Sequence, residues 1–201
     1  TLLPVDRNGL VNADQLAGAI NDQTILISIQ AANPEIGTLQ DLGKLAAIAR
    51  QSGVIFHTDA TAAAGWIPLN VAESGVDLLT LAADQFYGPQ GAAGLYAGKG
   101  VSLRPLIEGG TQEKGLRAGT ENVAAIVVFG EAAKLAREQI IDRTTQARLI
   151  NDRLKESLLA AVPHLHVNGH PERRNPRNLN LTVEFVEGEA LLMRLEMAGI
   201  Y

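Results

Sequence analysis

Residues 78–91 read LLTLAADQFYGPQG. The apolar run Leu78-Leu79-Thr80-Leu81 predicts a strand, and Gly88-Pro89 predicts a turn a few residues later. Between them lie two small residues, Ala82-Ala83, then Asp84-Gln85 and the aromatic pair Phe86-Tyr87. A strand tip that ends in small residues before a turn is a common frame for a ligand. Neither Asp84 nor Gln85 is an obvious nucleophile, so the stretch predicts a frame more clearly than a chemistry.

The segments around this strand set the fold class. Val54–His57 and Gly94–Ala97 predict further strands, and Thr24–Ile29 is a nearly continuous β-branched run of the kind buried on both faces of a sheet. Leu39–Gln51 has helical period and is stopped by Ser52-Gly53. Asn12-Ala13-Asp14-Gln15 fits a capping box opening a short helix to about Ile20. Strands alternating with helices predict βαβ units, hence an α/β fold with a mainly parallel sheet flanked by helices. The character changes near Asn122. Ala124–Ile141 and Thr144–Ala161 read as two helices joined at Asp142-Arg143. A strand near His166, a basic loop (Pro171–Arg177), a strand over Asn178–Phe185 and a helix over Glu187–Met197 follow. The expected division is residues 1–122 as part of a large α/β domain and 123–201 as part of a smaller α+β domain.

Composition narrows the function classes. The 201 residues are 46% hydrophobic with net charge −5, enough apolar content for a sizeable core and no basic excess to bind nucleic acid. No apolar run approaches the roughly 20 residues of a membrane span. Cysteine is absent, which removes disulfides, thiolate metal ligands and a nucleophilic thiol from these residues. A cytoplasmic setting is compatible with this. The chain opens at Thr1-Leu2-Leu3-Pro4 without Met and stops at a helix exit, Met197-Ala198-Gly199-Ile200-Tyr201, so it reads as part of a longer one.

Ligands of open α/β sheets sit beyond the carboxyl ends of the strands. Three loops leave such ends: residues 31–37, 58–62 and 82–85. Asp59 is the leading candidate, either as a carboxylate aimed at a ligand or as a helix N-cap for the segment after it. His57 shares its face and suggests a metal pair, but nothing nearby supplies further ligands, so a structural histidine is the better reading and no metal site is expected. Residues 109–122, GGTQEKGLRAGTEN, place glycines, Thr and Arg before a helix, which suits an anion or simply a tight turn. The basic loop Arg173-Arg174-Asn175-Pro176-Arg177 suits an acidic partner, but a solvated surface loop is the better reading.

In order, NPEIGTLQ (33–40), FHTDA (56–60), DLLTL (77–81), DQFYGPQG (84–91), GLYAGKG (94–100), IEGGTQEKGLRAGTEN (107–122), NLNLTVEFVEGEALL (178–192) and MAGI (197–200) closely resemble the cysteine desulfurases of the class V aminotransferase group. The likeness runs from near Asp6 to the last residue. It implies a pyridoxal 5′-phosphate (PLP) transferase-like fold and a homodimer. The implied reaction takes sulfur from L-cysteine, leaving alanine and an enzyme persulfide for iron–sulfur cluster assembly or thiolation, so a sulfur acceptor or iron–sulfur scaffold protein is the implied partner. It also implies that a phosphate-binding turn and a ring-stacking His precede these residues, and that a catalytic Cys and a carboxylate-binding Arg follow them.

Carried onto this sequence, the resemblance keeps two cofactor positions and alters five. Asp59 stands for the carboxylate that pairs with the pyridinium nitrogen and keeps the ring an electron sink. Thr120 stands for the hydroxyl that reaches the phosphate of the partner subunit. Pro34 replaces an Asn that bonds the ring hydroxyl and has no donor. Ala62 replaces a Gln with the same partner. Ala82 and Asp84 replace the Ser and His that donate to the phosphate, and Asp84 sets like charge against it. Gln85 replaces the Lys that forms an imine with the cofactor aldehyde. Its amide lone pair is delocalised, so it serves neither as that nucleophile nor as the proton-moving base. Each lost charge-assisted bond is worth about 1.5–3 kcal/mol. The expectation is a family scaffold that has lost the usual PLP chemistry. An active desulfurase with an atypical site and a non-catalytic partner-binding subunit both stay open.

Overall fold

A computed structural model describes all 201 residues, Thr1–Tyr201. Strands β1 (Leu26–Ser28), β2 (Ile55–Asp59), β3 (Leu78–Ala82) and β4 (Ala93–Ala97) form one sheet in that order. The first three run parallel and β4 pairs antiparallel with β3, Thr80 opposite Leu95. Helix α1 (Ala13–Ala19) precedes β1, and α2 (Leu42–Gln51) is the crossover that lets β1 and β2 run parallel; both pack on one face of the sheet. The Asn12 side chain accepts from Asp14 N and Gln15 N to start α1, and Asp41 accepts from Lys44 N to start α2. A third helix, α3 (Val71–Ser74), follows the turns after β2.

The core is one-sided. Ile27, Phe56 and Leu79, on successive strands, pack with Leu16 of α1 and Leu42, Leu45, Ala46 and Ala49 of α2. The opposite face carries Ser28, His57, Asp59, Thr80 and Leu95, since alternate residues of a strand point to opposite sides. That face is open at its edge strands, where Leu26 is 48% exposed and Leu95 52%, while Leu78 between them is buried. The expectation that Thr24–Ile29 is buried on both faces is therefore corrected. β1 alternates exposed, buried, exposed, and Ile25 is 82% exposed, because no layer among these residues covers the second face.

Residues 123–161 correct a second expectation. They form one helix, α4 (Val123–Ala161), of 39 residues, about 58 Å long at 1.5 Å per residue, not two helices joined at Asp142-Arg143. Neither residue breaks a helix. Arg143 donates from Nε and Nη2 to Gln139 Oε1 one turn back, and the Thr144 hydroxyl donates to the Ile140 carbonyl, so the polar pair is absorbed into the helix surface. No helix in the chain is long and apolar enough to cross a membrane. Near its start, α4 packs Ala125 against Ala83 and Ala92, and Ala132 and Ala136 against Ala64 and Phe86.

Beyond α4, strands β5 (Leu165–Val167) and β6 (Leu181–Val183) form an antiparallel pair, followed by α5 (Gly188–Met197). The strand expected over Asn178–Phe185 is shorter, because Asn178 and Asn180 point their amides at the Pro34–Glu35 carbonyls and Phe185 turns to φ +61°. Buried apolar residues after position 122 are confined to the three α4 alanines that meet the first sheet's loops. Thr38, fully buried, ties the segments together. Its hydroxyl donates to the Asn8 carbonyl at 2.5 Å and accepts from His170 N at 3.0 Å.

Candidate functional site

The carboxyl ends of β1, β2 and β3 lie side by side, so the fold gathers six of the seven site positions expected from the sequence. Pro34 follows β1, Asp59 ends β2 with Ala62 beyond it, and Ala82 ends β3 with Asp84 and Gln85 beyond it. Ala31 N donates to the Asp59 carbonyl at 2.7 Å and Ala60 N to the Thr80 carbonyl at 3.0 Å, which fixes the three ends against one another. Thr120 is exposed in the loop before α4 and hydrogen-bonds to none of them.

Asp59 uses one oxygen locally. Oδ1 accepts from Thr61 N at 2.9 Å and from the Thr61 hydroxyl at 2.7 Å, a turn cap, while Oδ2 has no partner within the chain. The helix expected after Asp59 is a run of turns instead, so the capping contact serves a turn rather than a helix. His57, on the same face, is held at both ring nitrogens. Ser28 Oγ lies 2.8 Å from Nδ1 and Thr80 Oγ1 lies 2.8 Å from Nε2, so the ring straps β1 to β3 across β2.

The loop after β3 folds as a single 3₁₀ turn, Ala83–Phe86, that ends at Tyr87 with φ +69°. Small residues are needed here. Ala83 is fully buried, and a Cβ on Gly88 would come within 2.8 Å of the Ala83 carbonyl oxygen. Phe86 turns inward and packs on Phe129 with ring centroids 5.7 Å apart, leaving Gln85 and Asp84 toward the outer side. Gln85 Nε2 donates to Asp84 Oδ2 at 3.3 Å.

The loop at residues 109–122 turns tightly. Glu113 and Lys114 adopt φ +48° and +57° and Gly119 φ +100°. Gly119 N already donates to Gln112 Oε1, and Asn122 Oδ1 accepts from Ala125 N at the head of α4. The chain's own oxygens therefore answer part of what an anion would bind at that helix start.

The basic loop is where the sequence reading fails. Residues 173–178 are not a solvated loop, because Arg174, Asn175, Arg177 and Asn178 reach across to the strand-end loops. Arg174 Nη1 donates to the Ile36 carbonyl at 3.1 Å and its Nη2 to the Asn168 carbonyl. Asn175, 2% exposed, donates from Nδ2 to the Ala62 carbonyl at 2.7 Å and from its backbone N to Gly37. Arg177 donates to both oxygens of Gln85, and Asn178 donates to the Pro34 and Glu35 carbonyls. Burial pushes both Arg174 and Arg177 below the usual arginine value, the latter partly opposed by Tyr87, and both stay cationic at neutral pH. Gly37 is required for this contact. Its φ is +74°, and a Cβ there would meet Asn178 Oδ1 at 2.5 Å. Charge and proline content alone concealed the docking. The usable signal was Asn175-Pro176, a polar side chain in a rigid turn whose Oδ1 caps Arg177 N locally and whose amide nitrogen is left for a distant acceptor.

Among known proteins, residues 1–201 match the family model described as aminotransferase class-V. The chain is 47% identical over its whole length to cysteine desulfurase IscS of Methanosarcina thermophila, covering 50% of that protein, and 38% identical to cysteine desulfurase NifS of Azotobacter vinelandii, covering 49% of it. It spans about half the length of these curated relatives. A solved structure titled NifS-like protein superposes with a TM-score of 0.95 at 33% identity, over all of this chain and 55% of that one. A NifS-like protein from Rickettsia africae gives 0.94 at 30% identity, over 99% of this chain and 56% of its own. With the α/β sheet, the strand-end loops and the sequence likeness in agreement from end to end, this chain belongs to the class V aminotransferase family.

Proposed function

We infer that this chain is a cysteine desulfurase-like member of its family that does not carry out the usual PLP chemistry and serves as a partner-binding or scaffold subunit. The observation that carries this reading is the state of Gln85, at the position the resemblance gives to the imine-forming Lys. Its amide is not a nucleophile, and its oxygen is held by Arg177 while its nitrogen faces Asp84. The residues around it do not fit the cofactor either. Pro34, Ala62 and Ala82 bring no side-chain donor, Asp84 brings a negative charge, and the carbonyls of Pro34 and Ala62 are occupied by Asn178 and Asn175. Thr120, whose family role is in trans, motivates a homodimer. A sulfur acceptor or iron–sulfur scaffold protein as partner and a cytoplasmic location rest on the family alone.

A second reading, an active PLP-dependent desulfurase with an atypical site, is favoured by Asp59, whose Oδ2 remains without a partner. Visible absorption of the full-length protein in excess PLP, followed by sulfide release from L-cysteine, separates the two. The expected outcome is no protein-dependent absorption band and no sulfide above a PLP-only control. A stable band with turnover supports the second reading and overturns the first.

A further inference from the structure

Gln85 and Arg177 lie 92 residues apart in sequence, on loops that leave different sheets. Arg177 Nη2 donates to Gln85 Oε1 at 3.1 Å, and Nη1 donates to the Gln85 backbone carbonyl at 3.3 Å. The guanidinium carbon sits 5.1 Å above the Trp66 ring, and Trp66 Nε1 donates to the same Gln85 carbonyl at 3.2 Å. Three donors therefore converge on the two oxygens of one residue. A planar guanidinium suits this arrangement, since it bonds in its plane and stacks through its face. What it demands of position 85 is an acceptor side chain. Glutamine supplies one. Lysine has three donors and no acceptor, and would set a second cation beside the first.

We propose that Arg177 is a specificity-determining residue for position 85: it selects glutamine there and excludes lysine, locking the loop after β3 to the loop between β5 and β6. Trp66 is the platform of the lock, and Asp84 holds the far end of the amide. The same strap, through Asn175 and Asn178, grips the loops after β2 and β1, so the three strand ends are tied together by protein groups. Loss of the lysine at position 85 and the presence of Arg177 are then one coupled feature. The inference rests on the functional reading above only for the identity of position 85, and its test involves no cofactor.

The experiment is a double-mutant cycle on the full-length protein, read by urea unfolding without PLP. Gln85→Lys is expected to raise the unfolding equilibrium constant about tenfold when Arg177 is present. In the Arg177→Ala background the same change is expected to have less than about a twofold effect. Equal effects in the two backgrounds overturn the proposal. Should Gln85→Lys fail to fold, the cycle of Gln85→Ala with Arg177→Ala decides the matter. A coupling of about fivefold is expected, and strict additivity overturns it. Absorption in PLP, measured separately on the unaltered protein, reports on the functional reading and leaves the cycle's outcome untouched.

Discussion

Replacing Asn175 with alanine is expected to destabilise the protein by about 2–4 kcal/mol, from the lost bonds and the small void together. Asn175 is 2% exposed and 113 residues from the Ala62 carbonyl that its Nδ2 contacts at 2.7 Å. Ala62 is itself buried, so removing the amide leaves a carbonyl away from water with no donor. The same side chain uses Oδ1 to accept from Arg177 N, which sets the direction in which Arg177 leaves the loop. Asn175→Asp is expected to be at least as damaging, because it brings a carboxylate to a carbonyl. Urea midpoints of the two variants check this. Wild-type values for both would mean that the loop is not docked as described.

Gain of a visible absorption band in PLP is the expected result for a triple variant, Asp84→His, Gln85→Lys and Arg177→Ala. Lysine supplies an amine with a free lone pair, which condenses with an aldehyde and loses water. Histidine exchanges a like charge beside a phosphate for a donor, worth about tenfold or more in affinity. Arg177→Ala removes the cation that a lysine would otherwise face. Gln85→Lys alone is expected to give a weaker band than the triple variant, since Asp84 and Arg177 both remain. Titration of each variant with PLP, followed by absorption, gives the order. Equal bands in single and triple variants would remove Arg177 and Asp84 from the account.

Much of the fold was legible because it is written in short-range pattern. The β-branched and apolar runs that became β1, β2, β3 and β4, the Asn12 cap and the Ser52-Gly53 stop all act locally, and each element formed within a few residues of its expected bounds. The failures are long-range. Nothing in Asp142-Arg143 announces whether a helix continues, and α4 runs through them with the side chains of Arg143 and Thr144 bonded back one turn. Burial of Thr24–Ile29 depends on a layer that the residues themselves do not contain. At the site, the strand-end loops and Asp59 were readable from pattern, whereas the meaning given to Gln85 came from the family resemblance. Arg177 was readable from neither, since its partner lies 92 positions away and a basic, proline-containing loop looks the same whether solvated or docked.

An imine between the protein and PLP, if one forms, can be trapped chemically and located. The full-length protein is incubated with PLP, treated with borohydride to fix any imine as a stable amine, and mapped by peptide mass spectrometry. The account predicts no stoichiometric adduct on any residue of the strand-end loops. A single stoichiometric adduct on a lysine of the unaltered protein, accompanied by sulfide release from L-cysteine, would contradict it.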